Sequence, residues 1–522
     1  MQSSFDSIAL EVFRNALDAS ALEMGFVLKQ TAFSPNIKER MDASCALFDS
    51  HAHLIAQAEH VPVHLGSMLS AVGPTLQQSG PLEEGEVLLV NDPFIAGAHL
   101  PDITVIAPIH FEGRLIGYAA SRAHHSDIGG MEPGSMPGRS TEIFQEGLVI
   151  PPVRIMRGGK MQEDVLALVL ANVRTPEERR GDLNAQIAAV EIGQRRLVEL
   201  AKKYGVATLE AGLAAILGYT ERRMVKRLAE LPNGVYESED FLDDDGTNLE
   251  PVFIRLRVTI SDGHMHLDFS GSSPQCEGNI NAVGPMTHSS VFFAIKMLTD
   301  PTIPVNSGTF RPITITVPEG TFLNARRPAA VCAGNTETTQ RVADTVFRAF
   351  ALVAPDRIAA ASQGTMNLVG IGGTDPRTGR PYTYVETIAG GQGGRPMGDG
   401  QDGIQCNMTN TMNTPVESLE STYPLRVERY ELREGSSGAG KHRGGMGVVR
   451  TLRAIAHDAR VSLQSDRRKV GPWGLHGGQD GKPGRNLHLQ GSAVIEMPGK
   501  ASFTLASGEA VSIETPGGGG WG

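Results

Sequence analysis

Along the first thirty residues apolar side chains recur at helical spacing: Val12, Phe13, Ala16 and Leu17 follow a cap expected at Asp6 or Ser7, and Pro35 closes the segment. One long N-terminal helix follows from that pattern. SCALFDSHAHLIAQ then reads as two short strands about a turn at Asp49 to His51, and HLGSMLSAVGPTLQQ as a second helix ahead of the strand EVLLV. DITVIAPIHF and RLIGYAASRAHH are β-rich runs joined by Glu112-Gly113, a hairpin signal. From Arg174 to Leu231 the period is helical, carried by Leu183, Ile187, Val190, Leu197 and Ala201 and, after Gly205, by Leu213, Leu217, Met224 and Leu228. This predicts a helical hairpin whose amphipathic faces suit packing rather than catalysis. Beyond Pro232, GVYESEDFLD, FIRLRVTISDG and HMHLDFSG return to strands, SSVFFAIKMLTD and ETTQRVADTVFRAFALVA read as helices among glycine-rich loops, and the last hundred residues are mostly β. No internal repeat stands out.

These elements predict a multidomain α+β protein. The expected parts are an N-terminal α+β region at 1–173, a helical hairpin layer at 174–231, a central α+β region at 232–420 and a β-rich region at 421–522. A length of 522 residues suits more than one domain.

Composition changes the picture in one respect. The 61 Gly and 31 Pro make up about 18% of the chain, against roughly 12% in ordinary proteins, which signals many turns. The formal charge of −11 repels a phosphate backbone and no basic run overrides it, so nucleic acid is not an expected partner. No apolar stretch approaches the roughly 20 residues of a membrane helix, and the acids in MQSSFDSIALEVFRNALDAS do not fit a secretory signal, so a cytoplasmic protein without a membrane anchor is expected. Cys45, Cys276, Cys332 and Cys406 lie far apart, giving neither a disulfide framework nor a thiolate zinc site.

Candidate chemistry concentrates in NDPFIAGAHLPDITVIAPIHFEGRLIGYAASRAHHSDIGGMEPGSMPG. His99 and Asp102 share a turn, and the hairpin that follows can return His124, His125 and Asp127 to lie beside them. Imidazole nitrogen with carboxylate oxygen is a donor set for zinc, manganese or iron. The spacing is not a zinc signature in the way HExxH is, and a polar loop accounts for it equally well. Adjacent histidines on a strand face opposite ways, so at most one of His124 and His125 is a direct ligand, the other serving as a support or proton carrier. Asp92 either orients a ligand or caps the Asp92-Pro93 turn. Asp42, in KERMDASCALFD, reads as a solvated loop acid. GSSGAGKH at 435–442 nearly matches a phosphate-binding GxxxxGK[ST] loop, but His442 replaces the hydroxyl and a strand pattern follows where a helix is needed. No GxGxxG or GxSxG motif is present in a suitable context.

NDPFIAGAHLPD, RAHHSDIGGMEPGSMPG, ERMDASCALFD, ESLESTYPLRVERYELREGSSGAGKHRGG and TPGGGGWG, in this order and over essentially the whole chain, resemble the hydantoinase B/oxoprolinase family. That family includes the corresponding subunit of N-methylhydantoinase, the C-terminal half of 5-oxoprolinase, the smaller subunit of caprolactamase and subunits of the acetone and acetophenone carboxylases. The resemblance implies a metal-bearing subunit working with a hydantoinase A-type ATPase in a hetero-oligomer. The ATPase would use ATP to phosphorylate a small cyclic amide, and this chain would hydrolyse the activated ring. It implies Asp42, His99, Asp102 and His124 as ligands of a divalent metal, zinc or manganese first and iron also admissible. His125 and Asp127 then become candidate catalytic proton carriers. A carboxylase subunit and a non-catalytic scaffold for the ATPase are the alternatives.

Overall fold

The computed structural model describes residues 7–59 and 61–522. Helix α1 (Ser7–Thr31) is the predicted N-terminal helix; Ser7, one of the two expected caps, is its first residue, and the other, Asp6, lies outside the described residues. The one-turn helix α2 (Pro35–Lys38) follows, started by Pro35 and capped by the Ser34 hydroxyl, which accepts from the Ile37 amide.

The main sheet has seven strands: β1 (Ala43–Asp49), β2 (Leu54–Glu59), β3 (Val87–Val90), β4 (Asp102–Phe111), β5 (Arg114–His124), β6 (Val153–Arg157) and β7 (Lys160–Met161), ordered β2-β1-β5-β4-β3-β6-β7. The predicted hairpin is β4–β5. Its two-residue turn places Glu112 and Gly113 at φ of 51° and 76°, the pair of positive values that a type I′ turn requires. The HLGSMLSAVGPTLQQ segment forms two helices rather than one, α3 (His64–Ser67) and α4 (Val72–Ser79). Pro74 explains the break: it has no amide hydrogen for a continuous helix and fits only the first turn of a new one. Helix α5 (Pro93–Ala96) is capped by Asp92, whose carboxylate accepts from the Phe94 amide and also pairs with Arg327.

After α6 (Glu163–Ala171), the two long predicted helices are α7 (Pro176–Tyr204) and α8 (Val206–Ala229), joined at Gly205. They share little surface: α7 packs on α1, β4 and β5, whereas α8 packs chiefly on the short helix Ser307–Phe310. Strict alternation buries the main sheet on both faces. Cys45, Leu47, Ile103 and Val105 face a core with α1 and α7, while Ala46, Phe48, Ile106 and Ala120 face a second core with the helices Gly284–Thr299 and Thr339–Val353. That second core also takes in β8 (Gly234–Leu242), β9 (Val252–Ser261) and β10 (His264–Asp268), which with Ile313–Thr316 form a four-stranded sheet.

The remaining strands build a four-stranded and a five-stranded sheet around a third core that includes Ile371, Leu452, Val461 and Ile513. Helix and sheet are thus mixed over several sheets and cores, the α+β multidomain class expected. The glycine-rich segments meet here. Gly518, Gly519 and Gly520 donate to Gly445, Ala361 and Gln479 and accept from Gly438, Gly394 and Leu475, so one run of bare backbone is hydrogen-bonded to six residues of four other segments. A Cβ on Gly517, Gly518, Gly519 or Gly520 would stand 2.0–2.1 Å from a neighbouring carbonyl oxygen. The residues resembling a phosphate loop belong to this joint. The amides of Gly438, Lys441 and His442 are bonded to the carbonyls of Gly518, Gly522 and Trp521, which leaves no cradle for phosphate.

Candidate metal centre

The site lies at the open end of the β4–β5 hairpin, on the face of the main sheet turned to the second core. Asp102 and His124 are direct cross-strand partners there. Ala43 pairs with Ala123, which sets Asp42, just before β1, alongside His124, and the His124 amide donates to the Asp42 carbonyl at 3.0 Å. Met41 at φ 57° turns the chain into this position. On the other side Gly97, at φ 73°, ends α5 and swings the chain toward His99. A Cβ on Gly97 would collide with the Pro285 ring at 2.7 Å, so the turn and the packing both require glycine.

Asp42, His99, Asp102 and His124 therefore come together from three separate stretches of chain. His99 Nε2 lies 3.5 Å from Asp102 Oδ2, and the His99 and His124 rings are 5.0 Å apart. Asp42, His99 and His124 line a small cavity of about 30 Å³ together with Asn36, Asn335 and Thr411. Asp42 is part of this wall and not the solvated acid that its local sequence suggested.

The structure also brings in residues the sequence did not single out. His64, the first residue of α3, points its Nε2 to within 3.6 Å of Asp102 Oδ2 while its Nδ1 meets Ser44 Oγ at 3.1 Å. Asn335, 233 positions away, donates to Asp102 Oδ2 at 3.3 Å from the single π-helical turn Gly334–Thr338, a distortion frequent at functional sites. Asn36 of α2 donates to the His124 carbonyl at 2.7 Å and sits 3.1 Å from His124 Nδ1, and Arg40 holds Asn36 Oδ1 at 2.7 Å. Nothing in the spacing of these residues marks them; only the helix-opening position of His64 hints at a polar role.

His125 and Asp127 do not join the site. By strand alternation His125 faces α7, where its Nε2 is 2.9 Å from Gln186 Oε1, and burial pulls its pKa down to about 4. Gln186 is fixed by donating to the carbonyls of Ile103 and Ser121 at 2.9 and 3.1 Å, so the Gln186 oxygen accepts and His125 Nε2 carries the proton. Asp127 is committed to structure: its oxygens accept from the amides of Gly129, Gly134 and Arg174 and from the Arg174 guanidinium, at 2.8–3.2 Å.

The electrostatics separate the members. Burial favours the neutral form of Asp102, but His99 and His64 outweigh it and hold the carboxyl well below the usual range. Burial opposes charge on His99, yet Asp102 overcomes it and raises the His99 pKa. His124 gains no such support: burial, and then the neighbouring His99, push it down to about 3. Burial raises the pKa of Asp42.

The arrangement fits a divalent cation by its unspent donors. His64 Nε2, His99 Nε2 and Asp102 Oδ1 are buried without a hydrogen-bond partner, and unpaired buried polar atoms are costly. His99 Nδ1 lies 3.1 Å from the Cys332 carbonyl, the outward hydrogen bond by which ligating histidines are held with Nε2 free. Among the described residues no three His, Cys, Asp or Glu side chains stand in a group that could hold a metal ion as placed, so binding one requires these donors to draw together. The donors converge without being closed on one another.

The family model described as Hydantoinase B/oxoprolinase matches residues 6–522. The chain belongs to the hydantoinase B/oxoprolinase family. Among relatives in this family, 5-oxoprolinase 1 of Arabidopsis thaliana is 39% identical over 545 residues, covering 99% of this chain and 42% of that protein. The chain thus spans about two fifths of the 5-oxoprolinase it matches. The crystal structure of the ATP-dependent caprolactamase from Pseudomonas jessenii superposes with a TM-score of 0.93 at 30% identity, over all of this chain and 92% of the other. A nucleotide-free acetone carboxylase superposes at 0.89 with 20% identity over 98% of this chain and 76% of the other, a likeness of fold alone.

Proposed function

We propose that this hydantoinase B family chain is the metal-bearing, hydrolytic subunit of an ATP-dependent cyclic amidase, opening the ring amide of a substrate activated by an ATPase partner. The observation that carries the reading is the buried meeting of His64 Nε2, His99 Nε2 and Asp102 Oδ1, without hydrogen-bond partners and from separate segments, beside a small cavity lined by Asp42, His99 and His124. Its setting, a fold shared with an ATP-dependent caprolactamase and a sequence related to 5-oxoprolinases, supports a cyclic amide as the substrate class.

Asp42, His99, Asp102 and His124 would hold the cation, and a His/Asp set without sulfur admits zinc, manganese or iron. When bound, such a cation supplies Lewis acidity toward the carbonyl and lowers the pKa of water. The chain's own residues do the rest. Asp102 stays ionised and anchors His99; His124 is neutral at physiological pH, with Asn36 fixing its ring. Thr387, Thr409, Thr411 and Asn335 put hydroxyls and an amide on the cavity wall and Val61, Val63, Met366 and Leu368 form its apolar part; about 30 Å³ takes an ion or a water, so admitting a ring requires this wall to open.

A ring amide is a poor electrophile because nitrogen shares its lone pair with the carbonyl. Phosphorylation of the amide oxygen by a partner would create a leaving group and make water attack feasible. The near-match to a phosphate loop is filled by the chain's own carbonyls, which supports assigning ATP to a hydantoinase A-type subunit in a hetero-oligomer. Coupled ATP hydrolysis by the co-purified pair, measured across lactams, hydantoins and ketones with and without bicarbonate, tests this. Amide-dependent turnover is expected; bicarbonate-dependent turnover of a ketone would overturn it in favour of a carboxylase. Unchanged turnover and metal content in His99→Ala would reduce the chain to a scaffold.

A further inference from the structure

Arg122 stands two residues before His124 on β5 and is completely buried. All its hydrogen-bond acceptors are neutral: Nε donates to Thr104 Oγ1 at 2.9 Å, one terminal nitrogen to Ser67 Oγ at 2.7 Å and the other to the Ala96 carbonyl at 2.6 Å. Each acceptor belongs to a segment that carries a member of the site. Thr104 is the cross-strand partner of Arg122 and lies two residues along β4 from Asp102. Ser67 closes the turn of α3 that His64 opens, and Ala96 ends α5 three residues before His99.

We propose that Arg122 is the positioning residue of this site, one planar cation that fixes the spacing between the strand bearing Asp102, the helix bearing His64 and the loop bearing His99. The inference rests on the reading that these side chains surround a divalent metal. Arginine suits the task because its donors lie in a rigid planar fork, so three acceptors at fixed angles determine the placement of three segments; a lysine ammonium is a single point on a flexible stem. The countercharge for the buried guanidinium is the site itself: burial lowers the Arg122 pKa to about 10 and Asp102 pushes it back up, so Arg122 stays charged at neutral pH. Arg122 thereby links the charge of the donor set to its geometry without occupying the cavity.

The test uses the full chain with Arg122→Lys and the single-arm variants Thr104→Val and Ser67→Ala. Zn²⁺ and Mn²⁺ dissociation constants are measured by titration, and the histidine ring resonances of the metal-free protein by selective labelling. Arg122→Lys is expected to weaken metal binding 10–100-fold, the usual loss when a residue supporting metal ligands is removed, with smaller losses for each single-arm variant. The rings of His64 and His99 should shift, while those of the exposed His51 and His53 stay. Arg122→Lys with wild-type affinity and unmoved rings would overturn the proposal. If Arg122→Lys fails to fold, the double variant Thr104→Val/Ser67→Ala carries the same two outcomes. A wild-type chain that binds neither ion would instead defeat the metal reading, and the ring resonances alone would then decide for or against positioning by Arg122.

Discussion

Asp102→Asn replaces a buried carboxylate by a neutral amide of the same shape, and its cost can be worked out from the site. Asp102 is 1% exposed, with imidazole nitrogens at 3.5 and 3.6 Å. Two unit charges at that separation interact by about 4–5 kcal/mol at an effective dielectric constant near 20. Removing one partner from a buried charged set costs about 3–5 kcal/mol. The asparagine keeps an oxygen for Asn335, so about 3 kcal/mol is expected in metal-free protein near pH 6.

The pH dependence separates the two partners. The Asp102 pKa is depressed, so its contribution is present above the unfolded value of about 3.9 and is lost only as pH falls further; between pH 6 and 9 it is constant. The His99 pKa is raised, so its contribution is complete below about 6.5 and fades as pH rises through the folded value. The cost of Asp102→Asn should therefore be larger at pH 6 than at pH 9. Urea unfolding of the chelated wild type and variant at both pH values measures this. A loss under about 1 kcal/mol, equal at the two pH values, would refute the charge pairing assigned to the site.

Four further outcomes are expected. His125→Phe should leave the kcat of the coupled reaction unchanged but cost about 1–3 kcal/mol in denaturant, because it strands the buried Gln186 oxygen; a large fall in kcat at wild-type stability would return His125 to the chemistry. Asp127→Ala, which abandons four donors, should lower the melting temperature while preserving the bound metal per chain, measurable by elemental analysis. Gly518→Ala must displace a carbonyl only 2.0 Å from the new methyl and should lose about 3 kcal/mol, the upper end for overpacking. Gly218→Ala, inside α8 with only the movable end of the Arg222 side chain near the added carbon, at 3.2 Å, should gain about 0.5–1 kcal/mol. Thermal and denaturant melts of the two alanine variants should thus move in opposite directions.

What could be read from the sequence was local. The β4–β5 hairpin is encoded by two alternating runs and a two-residue turn, and that alternation already separates His124 from His125. The role of Asp42 was not readable from its surroundings, because it depends on β1 pairing with β5 across some eighty residues of chain. Its place among the ligands came from the family resemblance. His64 and Asn335 were invisible for the same reason: a four-residue helix and a single π-turn have no periodicity to detect, and each reaches the site only through tertiary packing. Arg122 reads as one polar residue in an apolar strand until the three segments it joins are known. Pro74 was legible in principle, since it forbids the single continuous helix that the apolar spacing proposed.

The glycine run at 517–520 has a consequence for how this protein tolerates change. In an ordinary core a leucine can be exchanged for methionine or isoleucine at modest cost, so a family can wander among similar solutions. A joint of bare backbone where any added Cβ would stand 2.0–2.1 Å from a carbonyl oxygen has no similar residue to exchange for, because every substitution adds atoms. Repair by a second substitution is also closed, since the obstructing atoms are carbonyl oxygens that every residue carries. Variation can therefore reshape the cavity and its specificity while this joint stays as it is, a fixed point around which the rest of the sequence can drift.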